Sequence, residues 1–249
     1  MSDLQIPGSA SFAAVRVSEI WRFPVKSLGG ETVESARLDG EGIEGDRAWG
    51  LYDPAADRVL TARREPALLF LSAKLVDGSP VVTCDDGSTL ADDAALSTWL
   101  GRPVELRAAA AGTASFEAPL DEEGEADWVS WSSSGGTFHD GRSKVSLVSE
   151  STLGAWDRRR FRLNVVLDEP GDDQLSGDVR VGTATLTIRK PIDRCIMVTR
   201  AQPGLGRDLE VLKRVRDERA NQLGIGAVVT TPGTIHVGDP VTEFISRLT

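Results

Sequence analysis

A single cysteine, Cys195, stands among cationic side chains in the segment KPIDRCIMVTR. From residue 189 to residue 200 the chain holds four cations and one anion, although its overall net charge is −10. Nearby positive charge favours the thiolate form of cysteine, which is the form that binds metals and attacks electrophiles. A second basic segment, RRRFR, covers residues 158–162, and the planar donors of arginine suit phosphate groups. These residue types together indicate a thiolate beside an anionic ligand.

Less specific interpretations of the same residues stay open at this point. A free cysteine is most often a small buried hydrophobic residue, and a run of charge is usually a solvated face. The other cysteine, Cys84 in VVTCDDG, follows a predicted strand, and its position favours a structural role.

The acidic composition narrows the partners that the protein is expected to bind. A net charge of −10 over 249 residues argues against general nucleic-acid binding, which requires a basic surface. It also argues against docking on anionic membranes. No apolar run approaches the ~18 residues of a membrane-spanning helix, and the N-terminal segment lacks the features of a secretory signal. We therefore expect neither nucleic acid nor membrane as a partner.

The counts of cysteine and histidine limit the metal chemistry. Two cysteines are too few for a disulfide scaffold and are typical of a reducing compartment, so a cytoplasmic protein is expected. A zinc site would need nearly all of the two cysteines and two histidines together. Four cysteines for an iron–sulfur cluster are not available within this chain.

The elements that must position Cys195 are mostly strands. Short apolar periods predict strands over five segments, namely residues 15–23, 67–76, 144–149, 163–168 and 183–190. Residues 226–244 carry β-branched runs separated by Pro-Gly and Gly-Asp-Pro and predict a hairpin-like end. Helices are predicted over residues 92–101 and 207–224, each ending at a glycine. Many strands with few helices indicate a mainly β fold of the β-barrel type.

The chain divides at a small, polar and acidic segment. Residues 108–127 read AAAAGTASFEAPLDEEGEAD, which predicts a linker or mobile loop. Residues 1–14 are predicted to form a flexible N-terminal tail. We therefore expect one sub-domain over residues 15–107 and a second over residues 128–249.

Six segments occur in an order that resembles a known family. They are FPVKSLGG, GDRAWGLYD, TARREPALL, FRLNVVL, DRCIMVTRAQPG and PGTIHVGDPV. They are similar to the MOSC proteins, named for the C-terminal domain of molybdenum-cofactor sulfurase. The closer resemblance is to members with a MOSC N-terminal β-barrel domain, such as the mitochondrial amidoxime-reducing component and its bacterial relatives. It implies two associated β-barrel-like sub-domains, the MOSC N-terminal barrel over 15–107 and the MOSC barrel over 128–249.

The resemblance also implies a bound molybdenum–molybdopterin cofactor. Cys195 matches the family cysteine that supplies a thiolate to molybdenum, so it is both the implied metal ligand and the implied catalytic residue. A thiolate is a suitable soft ligand for a metal already held by the sulfurs of the pterin. Nine further positions match cofactor contacts of the family: Lys26, Ser27, Arg47, Arg142, Ser143, Arg162, Asn164, Asp193 and Arg194. The cations are assigned mainly to phosphate, and Ser27 and Asn164 to hydrogen bonds with phosphate or pterin.

Some positions depart from the family pattern. Arg142-Ser143 stands where the relatives tend to have Thr-Ser, and Asp193 stands where a serine is often found. The loop AQPGLGRDLEVL is unlike the longer loop of the amidoxime reducers. These departures bear on substrate preference rather than on membership of the family.

The function implied by the resemblance is a molybdenum oxidoreductase that reduces N-hydroxylated compounds: amidoximes, hydroxylamines or N-hydroxylated bases. Electrons are expected from a separate protein, either ferredoxin-like or a cytochrome or flavin reductase. A second hypothesis is a molybdenum-cofactor or sulfur carrier that uses Cys195 without its own redox turnover. A third is a β-barrel module that binds another small anion.

Overall fold

The computed structural model of the protein describes residues 15–109, 113–119, 128–134, 136–169, 172 and 174–243. The predicted mainly β fold with two barrel-like parts and few helices is confirmed. Within the described ranges, no helix combines the length and the apolar character that crossing a membrane would require. The predicted N-terminal tail, residues 1–14, lies outside the described residues.

The described residues form 19 strands, named β1 to β19 in chain order. The first ten are β1 Val17–Arg22, β2 Glu31–Thr32, β3 Ser35–Asp39, β4 Gly42–Ile43, β5 Trp49–Asp53, β6 Arg58–Val59, β7 Leu71–Val76, β8 Ser79–Cys84, β9 Thr89–Leu90 and β10 Glu105–Ala108. The other nine are β11 Thr113–Pro119, β12 Trp128–Ser134, β13 Val145–Ser149, β14 Val165–Leu167, β15 Asp178–Val181, β16 Ala184–Asp193, β17 Gln222–Thr231, β18 Gly233–His236 and β19 Val241–Glu243.

Helices are short and few among these residues. The α-helices are α1 Asp93–Leu100, α2 Glu150–Leu153 and α3 Glu210–Arg219. Single 3₁₀ turns cover Pro66–Phe70, Arg158–Arg160 and Ile196–Thr199.

The largest sheet has eight strands in the order β19-β15-β16-β17-β13-β14-β1-β2. A five-stranded sheet has the order β10-β5-β6-β11-β12, and two three-stranded sheets have the orders β18-β3-β4 and β7-β8-β9. Early strands therefore pair with late strands, since β1 pairs with β14 in the large sheet and β3 pairs with β18 in a three-stranded sheet. The sheets cross the predicted boundary, and the division at 15–107 and 128–249 stays a prediction.

Buried apolar side chains form three larger clusters, of which the first contains residues from both halves of the chain and the third lies beneath α3. The large sheet buries one cluster around Leu147 and Leu186. A second cluster lies in the N-terminal half around Leu51 and Leu68, and Cys84 packs against it. The third cluster includes Val215 of α3. The position of Cys84 agrees with the structural role that its sequence context favours.

Local signals predicted the elements that depend on local chemistry. The predicted helix over 92–101 is confirmed as α1, because Asp92 accepts a hydrogen bond from the Ala95 backbone N–H and Gly101 adopts a left-handed φ of 71°. The alternating pattern of residues 183–190 is confirmed in β16, where Ala184 and Leu186 are buried.

Two predictions of element boundaries were wrong. The strand predicted over 67–76 begins only at Leu71, because the proline-initiated 3₁₀ turn occupies Pro66–Phe70. The helix predicted to reach residue 224 ends at Arg219. Its C-cap, Ala220, adopts a left-handed φ of 49°, and the chain then enters β17.

Two predictions about irregular structure were also wrong. Residues 226–244 do not pair among themselves as a hairpin, since β18 pairs with β3 and β19 pairs with β15. The segment 108–127 is not a loop throughout, because Thr113–Pro119 form β11 and pair with β12. Residues 110–112 and 120–127 of that segment lie outside the described residues.

Candidate functional site

A cavity of about 670 Å³ brings all ten predicted site residues together. Each residue reaches it from a strand end or a connecting loop. Lys26 and Ser27 follow β1, Arg47 precedes β5, Arg142 and Ser143 precede β13, Arg162 and Asn164 precede β14, and Asp193, Arg194 and Cys195 lie at or just after the end of β16.

Positive charge dominates the described cavity wall. Nine cationic side chains line it: Lys26, Arg47, Arg63, Arg142, Arg160, Arg162, Arg189, Lys190 and Arg194. Two carboxylates line it as well, those of Asp140 and Asp193. In a chain of net charge −10, this concentration of cations creates a local field that attracts anions.

The thiol of Cys195 opens onto this cavity. Cys195 directly precedes the 3₁₀ turn Ile196–Thr199, and its side chain is partly exposed. The guanidinium group of Arg63 is near enough to the Cys195 side chain for that side chain to raise the pKa of Arg63. The predicted pairing of a thiol with nearby cations is therefore present, and Arg63 is a partner that the sequence analysis did not assign.

A chain of charges links Lys26 to Cys195. The Lys26 ammonium forms an ion pair with Asp140 and donates to the Phe138 carbonyl at 2.9 Å. The other Asp140 oxygen accepts from Arg63 at 2.8 Å, and Arg63 in turn interacts electrostatically with Cys195. Charge thus alternates from Lys26 through Asp140 and Arg63 to the thiol.

Burial and neighbouring charge shift the pKa values in this chain. Burial, assisted by the positive charge of Arg63, lowers the pKa of Lys26 to about 8, and Asp140 opposes this shift. Burial alone would raise the pKa of Asp140, but the charges of Lys26 and Arg63 hold it far below its usual range. Burial disfavours the charge of Arg63, yet Asp140 and Cys195 raise its pKa.

A second network surrounds the fully buried carboxylate of Asp46. Its oxygens accept from the Phe23 backbone N–H at 2.7 Å, from the Asn164 amide at 3.1 Å and from the Arg47 guanidinium. The Nε2 atom of His139 lies 3.5 Å from Asp46. Burial and the charges of Arg47, Lys144 and Lys26 hold the pKa of His139 well below 6.5, so this imidazole is neutral at pH 7.

Two of the predicted phosphate-binding arginines stack on one ring. The guanidinium groups of Arg47 and Arg162 lie 4.9 Å and 4.5 Å from the centroid of the Phe23 ring. Arg47 also donates to the Arg162 carbonyl at 3.0 Å, and Arg162 donates to the Leu28 carbonyl. Burial and the charge of Arg47 lower the pKa of Arg162 to about 9. An anion placed beside these two arginines would offset their mutual repulsion.

Backbone conformation at the cavity is unusual in three of the predicted residues. Ser27, Arg47 and Arg162 have φ values of 72°, 52° and 53°, a region that costs energy for residues with side chains. Such conformations concentrate at functional sites, because the surrounding structure must hold them.

Asn164 and Ser27 are engaged by the protein itself. The Asn164 amide oxygen accepts from Ser146 Oγ at 2.8 Å, and its nitrogen donates to the Trp21 carbonyl at 3.2 Å and to Asp46. Ser27 Oγ accepts from the Ala62 backbone N–H at 3.0 Å. Both side chains therefore fasten β1 and its following loop to neighbouring elements, and their roles toward a cofactor stay predictions.

Two buried arginines hold the loop that carries Cys195. Arg194 donates to the Phe161 carbonyl at 3.0 Å and to the Leu223 carbonyl at 2.9 Å. Burial lowers the pKa of Arg194 to about 10. Arg160 donates to the carbonyls of Arg200 at 3.1 Å and Gly206 at 2.8 Å. Most guanidinium N–H groups of these two arginines donate to backbone carbonyls. Their main role is therefore to fix the position of the loop that carries the thiol.

The basic segment 158–162 is divided by the fold. Arg160 and Arg162 line the cavity, whereas Arg158 pairs with Glu19 and Arg159 pairs with Asp157 at 2.7 Å elsewhere. Arg63, His139 and Asp140 are among the cavity residues that the sequence analysis did not assign. A signal existed for Arg63, which belongs to the TARREPALL segment, and for the other two, which lie just before Arg142-Ser143.

The side chains of the cavity suit a metal ion that is bound mainly by a non-protein ligand. No cluster of three or more metal-ligating side chains occurs among the residues that the structure describes. One accessible thiol beside many cations fits a metal held mainly by a ligand with an anionic tail. The residues present therefore fit the molybdenum–molybdopterin cofactor.

The fold and the cavity define a mainly β protein with one thiol in a cation-lined site, and sequence comparisons assign its family. Residues 14–132 match the model of the MOSC N-terminal beta barrel domain, and residues 138–242 match the model of the MOSC domain. The chain belongs to the family of MOSC proteins that carry a MOSC N-terminal β-barrel domain. MOSC domains are found in molybdenum-cofactor-related proteins.

The solved structures that match the chain have low sequence identity. The YuaD protein from Bacillus subtilis is 13% identical, with a TM-score of 0.41 over 92% of this chain and 94% of that one. A hypothetical protein is 11% identical, with a TM-score of 0.41 over 92% and 67%. YiiM from Geobacillus stearothermophilus is 14% identical, with a TM-score of 0.33 over 69% of each chain. No curated protein matches the sequence.

Proposed function

We propose that the protein is a molybdenum-cofactor-binding oxidoreductase that reduces N-hydroxylated compounds. The observation that carries the proposal is the partly exposed thiol of Cys195 at the wall of a cavity that nine cationic side chains line. Membership of the MOSC family supports the molybdenum part of the proposal. The reduction of N–OH groups rests on the resemblance to the amidoxime-reducing proteins.

The residues of this chain divide the work of holding the cofactor. The Cys195 thiolate would bind the metal, and the paired guanidinium groups of Arg47 and Arg162 would bind the anionic tail. Arg160 and Arg194 keep the Cys195 loop in place through backbone carbonyls. Such preorganisation matters because an active site must be fixed before the reaction rather than assembled during it.

The cofactor would supply the two-electron reduction that converts an N–OH group into N–H and water. Two protons are consumed in that conversion. His139 is a neutral, buried imidazole held beside Asp46, so it is poorly placed to deliver them. Protons from solvent entering the cavity are the simpler source.

Electrons are proposed to come from a separate donor protein, either ferredoxin-like or a cytochrome or flavin reductase. The two cysteines are both free, and they are too few for an iron–sulfur cluster. Free thiols are also typical of the cytoplasm, which we propose as the location.

The test begins with protein made in a host that synthesises the cofactor. Molybdenum is measured by mass spectrometry and pterin by the fluorescence of its oxidised form. Reduction of an amidoxime and a hydroxylaminopurine is then assayed with a chemical reductant. We expect metal, pterin and turnover, with metal and turnover lost in Cys195→Ser and kept in the matched control Cys84→Ser.

Other outcomes would overturn the proposal in distinct ways. Metal and pterin without turnover on a broad panel of N-hydroxylated compounds would favour the cofactor or sulfur carrier. Neither metal nor pterin in a competent host would contradict both molybdenum functions and favour a module for another small anion.

A further inference from the structure

His139 is a buried imidazole in the cavity wall that the proposed reaction does not use. The residue is 8% exposed and lines the cavity. Its Nε2 atom has almost no solvent-accessible surface and forms no hydrogen bond with any residue that the structure describes. A buried polar atom without a partner costs free energy, so the environment of this ring calls for an explanation.

An acceptor for Nε2 lies just beyond ordinary hydrogen-bond range. Asp46 Oδ2 is 3.5 Å from this atom, whereas an N–H···O hydrogen bond spans roughly 2.7–3.2 Å. The same oxygen already accepts from the Asn164 amide and from the Arg47 guanidinium. An ionised carboxylate only accepts, so the proton of the neutral ring belongs on Nε2. A second proton would therefore be added at Nδ1.

The charged groups around His139 come from three loops of the chain. They are the cations Lys26, Arg47 and Lys144 and the carboxylates of Asp46 and Asp140. Burial disfavours a charged imidazole, the three cations disfavour it further, and Asp140 opposes them. Two of the cations, Lys26 and Arg47, line the cavity. An anion bound beside them would reduce the repulsion that keeps the ring neutral.

From this arrangement we propose that His139 takes up a proton when an anion binds in the cavity. The proton comes from solvent and adds to Nδ1. The resulting imidazolium donates from Nε2 to Asp46 in a charge-assisted hydrogen bond, which is shorter than the present contact. Anion binding and protonation of the ring favour each other, because the coupling between two binding events is reciprocal. His139 is thus a positioning residue of the anion site and not an acid for the substrate.

The inference goes beyond the proposed reaction and rests on the proposed function only for the identity of the anion. Arg47, which we propose to hold the anionic tail of the cofactor, shares one Asp46 oxygen with His139. The tail and the proton are therefore coupled through a single carboxylate. With the cofactor as the anion, protein with a protonated His139 holds the cofactor more tightly, and loading is favoured at acidic pH.

The first test is a proton NMR titration of the full-length protein, made without cofactor, with sulfate as the probe. The chain has two histidines. The other one, His236, has an exposed side chain, so His236→Gln assigns the remaining imidazole signal to His139. We expect saturating sulfate to move the midpoint of the His139 titration upward by at least about one pH unit, and the His236 midpoint of the wild type to stay constant. An unchanged His139 midpoint, whether sulfate fails to bind or the ring fails to respond, would overturn the inference.

The second test is the affinity for sulfate, measured by calorimetry between pH 7 and pH 5. Lys26, with a pKa of about 8, and Asp140, with a pKa far below its usual range, keep their charges over this interval. We expect the affinity of the wild type to rise severalfold toward pH 5, because a one-unit change in the His139 titration corresponds to tenfold tighter binding by the protonated form. In His139→Gln the affinity should be nearly independent of pH. An equal rise in the variant would assign the proton to another group.

Lys144→Met tests the electrostatic cause without a change in the cavity wall, which Lys144 does not line. We expect the His139 midpoint to rise in this variant even without sulfate, because one of the three repelling cations is removed. A purely structural role of His139 gives no such rise. A constant midpoint would show that these charges do not keep the ring neutral, which contradicts the inference.

Cofactor-loaded protein separates the inference from the proposed function. With the cofactor's tail as the anion, His139 titrates at the raised midpoint in loaded protein, and sulfate adds nothing. A low midpoint in loaded protein that still rises with sulfate would keep the proton linkage and assign the anion to a substrate. Protein that acquires no pterin in a competent host but responds to sulfate would contradict the proposed function and support the inference. Pterin and turnover without any response of His139 would do the reverse.

Discussion

The inner wall and the mouth of one cavity carry the same cationic residue types in different physical states. Arg160 and Arg194 of the inner wall are only 8% exposed, and their guanidinium groups donate to backbone carbonyls. Arg142 and Arg189 of the mouth are exposed and, among the described residues, pair with none. Both pairs line the cavity.

This difference separates holding the fold from binding a ligand. A buried guanidinium group must have its donors satisfied, because an unpaired buried charge is costly. Leaving an exposed cation unpaired costs little free energy, because water solvates it, and the cation remains available to an incoming anion. The cations near the thiol therefore have two roles, stabilising the fold and binding an anion, and substitutions should separate these roles.

The largest effect is expected from Arg194→Met. The substitution leaves the carbonyls of Leu223 and Phe161 without their donor, and we expect the free energy of unfolding to fall by roughly 3–5 kcal/mol. Urea unfolding measures it. Arg189→Met is the matched control and should change stability by less than about 0.5 kcal/mol. Equal losses in the two variants would remove the distinction between inner wall and mouth.

A smaller loss is expected when the acceptor at the centre of the inner network is removed. Asp46→Ala deprives Arg47 of its carboxylate and leaves the Phe23 backbone N–H and the Asn164 amide with one acceptor fewer. We expect the free energy of unfolding to fall by about 3 kcal/mol. The exposed Asp85→Ala serves as the control and should be close to neutral. A loss below 1 kcal/mol for Asp46→Ala would mean that the network is not structural.

The sequence predicted the parts of this arrangement that depend on local chemistry or on recognisable segments. Capping by Asp92 and Gly101 defined α1, and five separate segments supplied the ten residues that the fold gathers at one cavity. Arg189 and Lys190 were visible only as positive charge. Their orientation depends on bulges against β17, which no local pattern encodes.

Long-range pairing explains the remaining errors. The strand ending at His236 pairs with β3, some two hundred residues earlier, rather than with its neighbour in the chain. The Lys26–Asp140–Arg63 chain joins three loops that are far apart in sequence. Such contacts follow from the global fold, so a sequence pattern indicates the residue types but not their partners.

Lys26 provides a pH test of the inner wall. Its folded pKa of about 8 lies below the unfolded value of 10.5, so between these pH values the unfolded chain holds a proton that the folded chain has lost. Stability then rises with pH. The penalty for burying the charged ammonium is fully present below pH 8 and is relieved toward pH 10.5, by an amount on the order of 3 kcal/mol.

The reference for this test is Lys26→Met, which cannot titrate at residue 26. We expect the difference in unfolding free energy, wild type minus variant, to increase between pH 7.5 and pH 10.5 when measured by urea unfolding. A difference that stays constant over this range would show that the Lys26 ammonium is not held in a costly environment.

The smallest effect on stability is expected at the mouth, from Arg142→Thr. The Arg142 side chain is exposed and has no partner among the described residues, so the unfolding free energy should change by less than about 0.5 kcal/mol. Binding of inorganic phosphate should nevertheless weaken severalfold and become less sensitive to salt, because one exposed charge that lines the cavity is lost. Calorimetry at two ionic strengths measures both changes. A variant that loses stability but keeps its affinity would place Arg142 with the inner cations, whereas the expected result assigns Arg142 to the ligand.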